Sequence, residues 1–106
     1  MATDWAADIK KYAPDADDAV VAKLLSTYRL VLSSRDSAYV ATSDATEVST
    51  VRERFLKGKL GLTQDDATLD AAIADVAKMM KADRTKSRAT VYYLLADKFD
   101  KLGVFK

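Results

Sequence analysis

Apolar side chains recur at helical spacing in five stretches of the chain, and an aspartate stands near the head of each. In "TDWAADIKKYA", Trp5, Ile9 and Tyr12 follow at intervals of four and three, enough for one short docking stripe that Pro14 ends. "DADDAVVAKLLSTYRLVLSS" carries Val20, Val21, Leu24, Tyr28 and Val31 on one face. The third segment opens at "SDATE", where Asp44 and Glu47 have the spacing of a capping box, and its stripe is Val48, Val51 and Phe55. The fourth follows "GLTQDDA" with Leu69, Ile73, Val76 and Met80. The fifth runs from about Arg84 to Leu102, with Tyr92, Leu95, Phe99 and Leu102 as its seam. Gly103 is placed as a left-handed stop after it, and Val104 and Phe105 can fold back. Asp4, Asp15, Asp44, Asp65 or Asp66, and Asp83 mark the five starts, because Asp caps helix N-termini and suits the positive end of the dipole. Between segments two and three, "RDSAYVATS" tolerates an extended conformation at Tyr39, Val40 and Thr42, but a lone short strand has no evident partner, so an ordered loop is expected.

The composition agrees with helices. The chain has 106 residues, with 3 Gly and 1 Pro, too few turn-formers for an all-β fold. The absence of Cys and His removes disulfides, thiol nucleophiles, Ser-His-Asp triads and the usual nitrogen and sulfur ligands of zinc, copper and haem. Without a secretory or transmembrane segment, the expected setting is the cytoplasm, away from membrane. The formal net charge of +1 gives no global reason to seek nucleic acid, so any electrostatic argument must be local.

Local positive charge gathers in "ADRTKSRATVYYLLADKF". At about 100° per residue, Arg84 and Arg88 fall in the arc of Tyr92, Leu95 and Phe99, while Lys86 points away. Cations in the first turns of a helix are disfavoured by about 0.3–1 kcal/mol each, so something anionic should compensate. An internal carboxylate would make the arginines structural, whereas a bound phosphate or carboxylate would make them a site. A second basic cluster, "RERFLKGKLGL", contains Arg52, Arg54, Lys57 and Lys59. Glu53 can pair with Lys57 at i,i+4, Arg54 and Lys57 share a flank, and Arg52 and Lys59 lie across the helix. Tyr93 is expected on the outer flank near Lys86 and Asp100, either stacking on a partner or packed under a loop.

Other motifs lead less far. "LGLTQDDA" looks like the start of the second helix of a helix-turn-helix. It lacks the break and the basic recognition helix that such a motif needs, and Thr63 reads more simply as an N-cap. Asp15, Asp17 and Asp18, like Asp65 and Asp66, lie at helix starts and lack the turn glycine and distal Glu of a calcium loop. No base is positioned to activate a hydroxyl, and there is no glycine-rich phosphate loop.

In combination, "FLKGKLGL", "LDAAI" and "RTKSRATVYYLLADKF" resemble a bacterial family, domain of unknown function 2853, over about Asp4 to Phe105. The resemblance implies a compact helical fold in a bacterial cytoplasm and brings no activity, cofactor or partner to carry over. Gly58 departs from the family's lysine-rich run, which bears on how far segment three continues. The expectation is therefore an all-α single domain, 1–106, of about five helices in irregular orthogonal packing. Its expected core is Trp5, Ile9, Val20, Leu24, Tyr28, Val48, Val51, Phe55, Leu69, Ile73, Val76, Met80, Tyr92, Leu95 and Phe99. Functionally, it reads as a non-enzymatic interaction or regulatory protein without cofactor or metal. Arg84, Lys86 and Arg88, with Lys57, Lys59 and Tyr93, would hold an acidic protein or anion. Weak, non-specific nucleic-acid binding through the same residues is the alternative.

Overall fold

The computed structural model describes residues 5–34, 37–83 and 85–105. Along the chain these form α1 (Trp5–Tyr12), α2 (Asp18–Thr27), α3 (Arg29–Ser33), β1 (Tyr39–Val40) and α4 (Ala45–Thr50). A π-helical segment (Val51–Lys59), α5 (Asp66–Met79), β2 (Lys86–Ser87), α6 (Arg88–Lys98) and a terminal 3-10 turn (Leu102–Phe105) follow. Among the described residues the regular structure is helical apart from one two-stranded ribbon, and none of the described helices is long and apolar enough to cross a membrane.

α6 is the axis. Every residue from Arg88 to Ala96 is buried, and α1, α2, α5, the ribbon, the π segment and the terminal turn all pack on it. The expected one-sided seam is therefore corrected to a helix enclosed all round. The small residues Ala89 and Ala96 let neighbours approach on the sides that the large seam residues leave, and both are fully buried. The expected core residues are all buried or packed against the core, with Trp5, Tyr28, Val48 and Phe99 at its edge. At its centre Phe55 stacks on Tyr92 with centroids 3.9 Å apart, and Tyr28 and Phe105 close the cluster from two sides.

Aspartate caps account for three of the starts. Asp17 accepts from the Ala19 amide, Asp44 from Thr46 and Glu47, and Asp65 from Thr68. Asp17 replaces Asp15 as the head of α2, and Asp65 takes the place offered to Thr63. Asp4 and Arg84 lie outside the described residues. The last helix begins later than its periodicity suggests. Lys86 and Ser87 are extended and pair antiparallel with Val40 and Tyr39, and the Ser87 hydroxyl caps α6 by accepting from Thr90. The expected loop at Tyr39–Val40 is thus a short strand whose partner lay in a stretch that looked helical. At the far end, Asp100 rather than Gly103 adopts the left-handed conformation, with φ 56°. Bonds from the Lys101 amide to the Ala96 carbonyl and from the Asp100 amide to the Asp97 carbonyl complete a Schellman stop. Phe105 folds back and is buried, as expected.

Two segments differ in winding. Segment two breaks at Tyr28, where the backbone leaves the helical region and the ring turns edge-on to Tyr92, 5.0 Å away. Segment three continues through Gly58 without a gap, but from Val51 it winds with i→i+5 bonds, ending with the Leu60 amide on the Phe55 carbonyl. In that winding residues five apart share a face. Val51 with Leu56, and Phe55 with Leu60, are accordingly all buried, although Leu56 and Leu60 are absent from the expected stripe.

The two glycines of this region, Gly58 within the π segment and Gly61 in the loop after it, should respond oppositely to alanine. Gly58 has no positive φ, and a Cβ there would meet the Glu53 carbonyl at an ordinary 3.4 Å, so Gly58→Ala is expected to stabilise by about 0.5–1 kcal/mol. Gly61, at φ 69°, should lose about 1 kcal/mol or more on the same change. Urea midpoints of the two variants measure both signs, and a loss for Gly58→Ala would contradict the π winding.

Candidate functional site

Arg88 opens α6 with its guanidinium turned inward and only 7% of the residue exposed. Each of its three nitrogens has an internal acceptor. Nε donates to the Ser37 carbonyl at 2.6 Å, one terminal nitrogen to the Tyr92 hydroxyl at 2.9 Å, and the other to Glu47 at 3.2 Å. Its amide extends the ribbon by bonding the Ala38 carbonyl, and its charge lies 5.6 Å from the Tyr92 ring. The compensating anion for this arginine is therefore Glu47. The same glutamate was read as the return half of a capping box, but its carboxylate goes to Arg88, and the Asp44 amide bonds Ala41 instead. Arg88 as an open anion-binding residue is corrected on these contacts.

The neighbouring expectations change with it. Lys86 lies on β2 and donates to the Asp83 carbonyl at 2.9 Å. The Asp83 side chain, expected to cap the last helix, reaches α1 and accepts from Lys11 at 2.9 Å and from the Tyr12 hydroxyl. The Tyr12 and Lys11 bonds hold its carboxyl below the usual carboxylate range. A second tie runs from the buried Thr90 hydroxyl to Asp8, so α1 is fastened to both ends of this region.

In the π segment the basic cluster is rearranged and largely neutralised. Arg52 and Lys57, five residues apart, come to one side instead of lying across from each other, and both reach Asp66, at 3.7 and 2.7 Å. Glu53 bridges them, and Arg52 also binds both oxygens of Asp70 at 2.9 Å. Lys57 is held above the usual lysine range by Asp66 and then Glu53, and Glu53 is lowered by Arg52 and then Lys57. Lys59 sits 5.6 Å over the Phe105 ring, and Arg54 is exposed. Two of the aspartates first weighed as metal ligands are caps, and Asp18 and Asp66 pair with Lys10 and Lys57. No cluster of metal-ligating side chains occurs among the described residues.

Tyr93 is not on an outer flank but buried, and it lines a feature that the sequence did not suggest. This is a cleft of about 330 Å³ between the α1–α2 turn, the end of α5 and α6, where Pro14, Met79 and Leu94 provide apolar surface. Asp15 and Asp97 stand exposed at its mouth, and neither has a cation partner among the described residues. Three helices end here: α1 at Tyr12, α5 at Met79 and α6 one residue beyond Asp97. Their terminal carbonyls add partial negative charge to the two carboxylates. The opposing N-terminus of α2 is already capped by Asp17. Lys78 and Lys81 flank the end of α5 but do not line the cleft. Burial, and then Asp97, push the Tyr93 hydroxyl up, with the Asp17 backbone drawing it partly back. Chemically, the cleft offers apolar contact and negative potential together, and so suits a cation on an apolar stem.

Fold and site together define a small helical protein with an internally closed arginine and an acid-rimmed cleft. The chain belongs to the family described as protein of unknown function, DUF2853, whose model matches residues 4–103. No curated protein matches it.

Removing the guanidinium leaves the half-buried Glu47 without its cation and the Ser37 carbonyl without its donor. Arg88→Ala should therefore cost about 3–5 kcal/mol of unfolding free energy, and Arg88→Lys should recover only part, because an ammonium cannot span three diverging acceptors. Adding Glu47→Ala to Arg88→Ala should cost less than the sum of the single changes, as measured by urea denaturation. An additive pair would mean that the two charges do not interact.

Asp83 is lowered in the folded state, so the stability it contributes is present above its unfolded pKa and is lost as pH falls through the lower folded value. Thermal melts below about pH 4 should thus show a decline in the wild type that Asp83→Asn diminishes, with the variant already less stable at neutral pH. Tyr12 and Lys11 are raised, so their share is complete below their unfolded values and is lost as pH rises through the folded ones. An unchanged acid limb in Asp83→Asn would dismiss a stabilising role for the bonds from Lys11 and Tyr12 to Asp83.

Proposed function

We propose that this chain is a cytoplasmic, non-catalytic interaction protein whose cleft receives a basic, apolar segment of a partner protein. The convergence of three helix C-termini and two unpaired carboxylates on one apolar cleft carries this reading. Carboxylates with no cation partner among the described residues, set beside the half-exposed Met79, are complementary to an arginine or lysine flanked by a leucine-like side chain. The cleft volume lies at the lower end of the range of ligand sites, enough for one long side chain and its neighbour. Its walls belong to elements anchored on α6, so the receptor is preformed and binding requires little reordering. The same reading turns the expected partner from acidic to basic, because Arg88 and Lys86 are engaged within the fold and Lys57 is paired with two acids.

Amide chemical shifts on titration with a short Arg/Leu peptide test this directly. Saturable changes are expected at Ala13, Ala16, Met79 and Leu94, weakened roughly tenfold in Asp15→Lys or Asp97→Lys and reduced by salt. A parallel titration with an acidic peptide and a short DNA oligonucleotide should leave these positions unmoved. Shifts confined to the start of α6, caused by either anion, would overturn the reading in favour of an anion site.

A further inference from the structure

We propose that the basic, apolar segment entering the cleft is supplied by a second copy of this chain, through Arg29 and Leu30. This rests on the cleft being a receptor for such a segment. Among the described residues Leu30 is the most exposed large apolar side chain, at 81%, and Met79, at the cleft, is the other conspicuous one. Leu30 is preceded by Arg29, which is exposed and has no acidic partner among the described residues. The molecule thus carries an unpaired cation beside an uncovered leucine at one place. At another it carries unpaired carboxylates beside an uncovered methionine. The two features complement each other in both charge and polarity.

They cannot meet within one chain. The cleft touches the turn before α2, through Asp15 and Ala16, while Arg29 and Leu30 follow its last residue. The ten residues of α2 separate the two by about 15 Å along a rigid helix. The contact is therefore head-to-tail between copies, with α2 as the strut between knob and receptor. Such heterologous pairing propagates into a ring or an open chain rather than closing as a two-fold dimer. A single knob in a small cleft buries less than a standard interface, so the association is weak and concentration-dependent.

Sedimentation velocity on the full chain tests this, because head-to-tail pairing has a signature that symmetric pairing lacks. The weight-average mass of the wild type should rise between about 0.1 and 1 mM and fall again with added salt. Leu30→Asp removes the knob, and Asp97→Arg reverses the charge of the receptor. Both sites are exposed, and circular dichroism would verify the fold. Each variant alone should stay monomeric, while an equal mixture should recover association that stops at dimers, since only one productive contact remains. Continued association of either variant alone, or a mixture that stays monomeric, would overturn the proposal. So would a wild type monomeric throughout the range. In that event the Arg/Leu peptide separates the causes. Shifts at Ala13 and Met79 would leave the receptor standing and eliminate only the second copy, and their absence would eliminate both.

Discussion

Arg88 carries a permanent charge where almost no water reaches, and much of the local architecture is arranged around that fact. Moving a guanidinium out of water costs several kcal/mol, and only a full set of acceptors in the right directions offsets it. Those acceptors come from three parts of the chain: a carbonyl before β1, a carboxylate on α4 and a hydroxyl one turn along α6. Each has a consequence. Holding the Ser37 carbonyl brings β1 alongside β2 and delays the start of α6. Drawing Glu47 across removes it from its own helix cap. Fixing the Tyr92 hydroxyl orients the ring that Phe55 stacks on, which ties the ion pair to the aromatic centre of the core.

That centre in turn explains why α6 is enclosed. With Tyr92 facing the aromatic cluster, Tyr93 is turned toward α1 and α2, and Thr90 toward Asp8, so no side of the helix is left for solvent until Asp97. The neighbouring helices must surround a short axis. The ends of α1 and α5 consequently meet that of α6 itself at one edge, where the negative poles of three helix dipoles lie together. The cleft is a by-product of this packing, and its polarity follows from which ends meet there.

The parts of the fold that rest on local chemistry were legible in the residues. Aspartate caps, the stripes of α1, α2 and α5, and the return of Phe105 all follow from short-range rules. Other features were not legible, most of them because they depend on distant partners. The strand at Lys86–Ser87 is stabilised by Tyr39 and Val40, nearly fifty positions away in sequence, and its own residues have no strand preference that outweighs the helical period around them. The π winding moved Arg52 and Lys57 onto one side and Leu56 into the core, where a 3.6-residue wheel separates them. The spacing of Val51, Phe55, Leu56 and Leu60, at intervals of four, one and four, was the available signal. The inward direction of Arg88 was read correctly from the wheel, but the identity of its anion was hidden because Glu47 already had a plausible local role. Tyr93 is buried because α6, unlike an ordinary amphipathic helix, has no exposed side between Arg88 and Ala96.

The candidate site was least legible of all, for a physical reason. Helix C-termini act through main-chain carbonyls, which every residue possesses, so a convergence of three of them leaves no mark in composition or motif. The side chains at the cleft, Asp15 and Asp97 among many aspartates and Met79 at the end of an unremarkable stripe, become informative only when they stand together with no cation partner among the described residues. The conspicuous arginines and lysines drew attention because charge in a sequence is visible, yet conspicuous charge in a compact fold is commonly engaged in holding it together. In the reading proposed for this chain, the groups that would serve a partner are ones left unmatched among the described residues: two carboxylates and a methionine near one end of α2, an arginine and a leucine at the other.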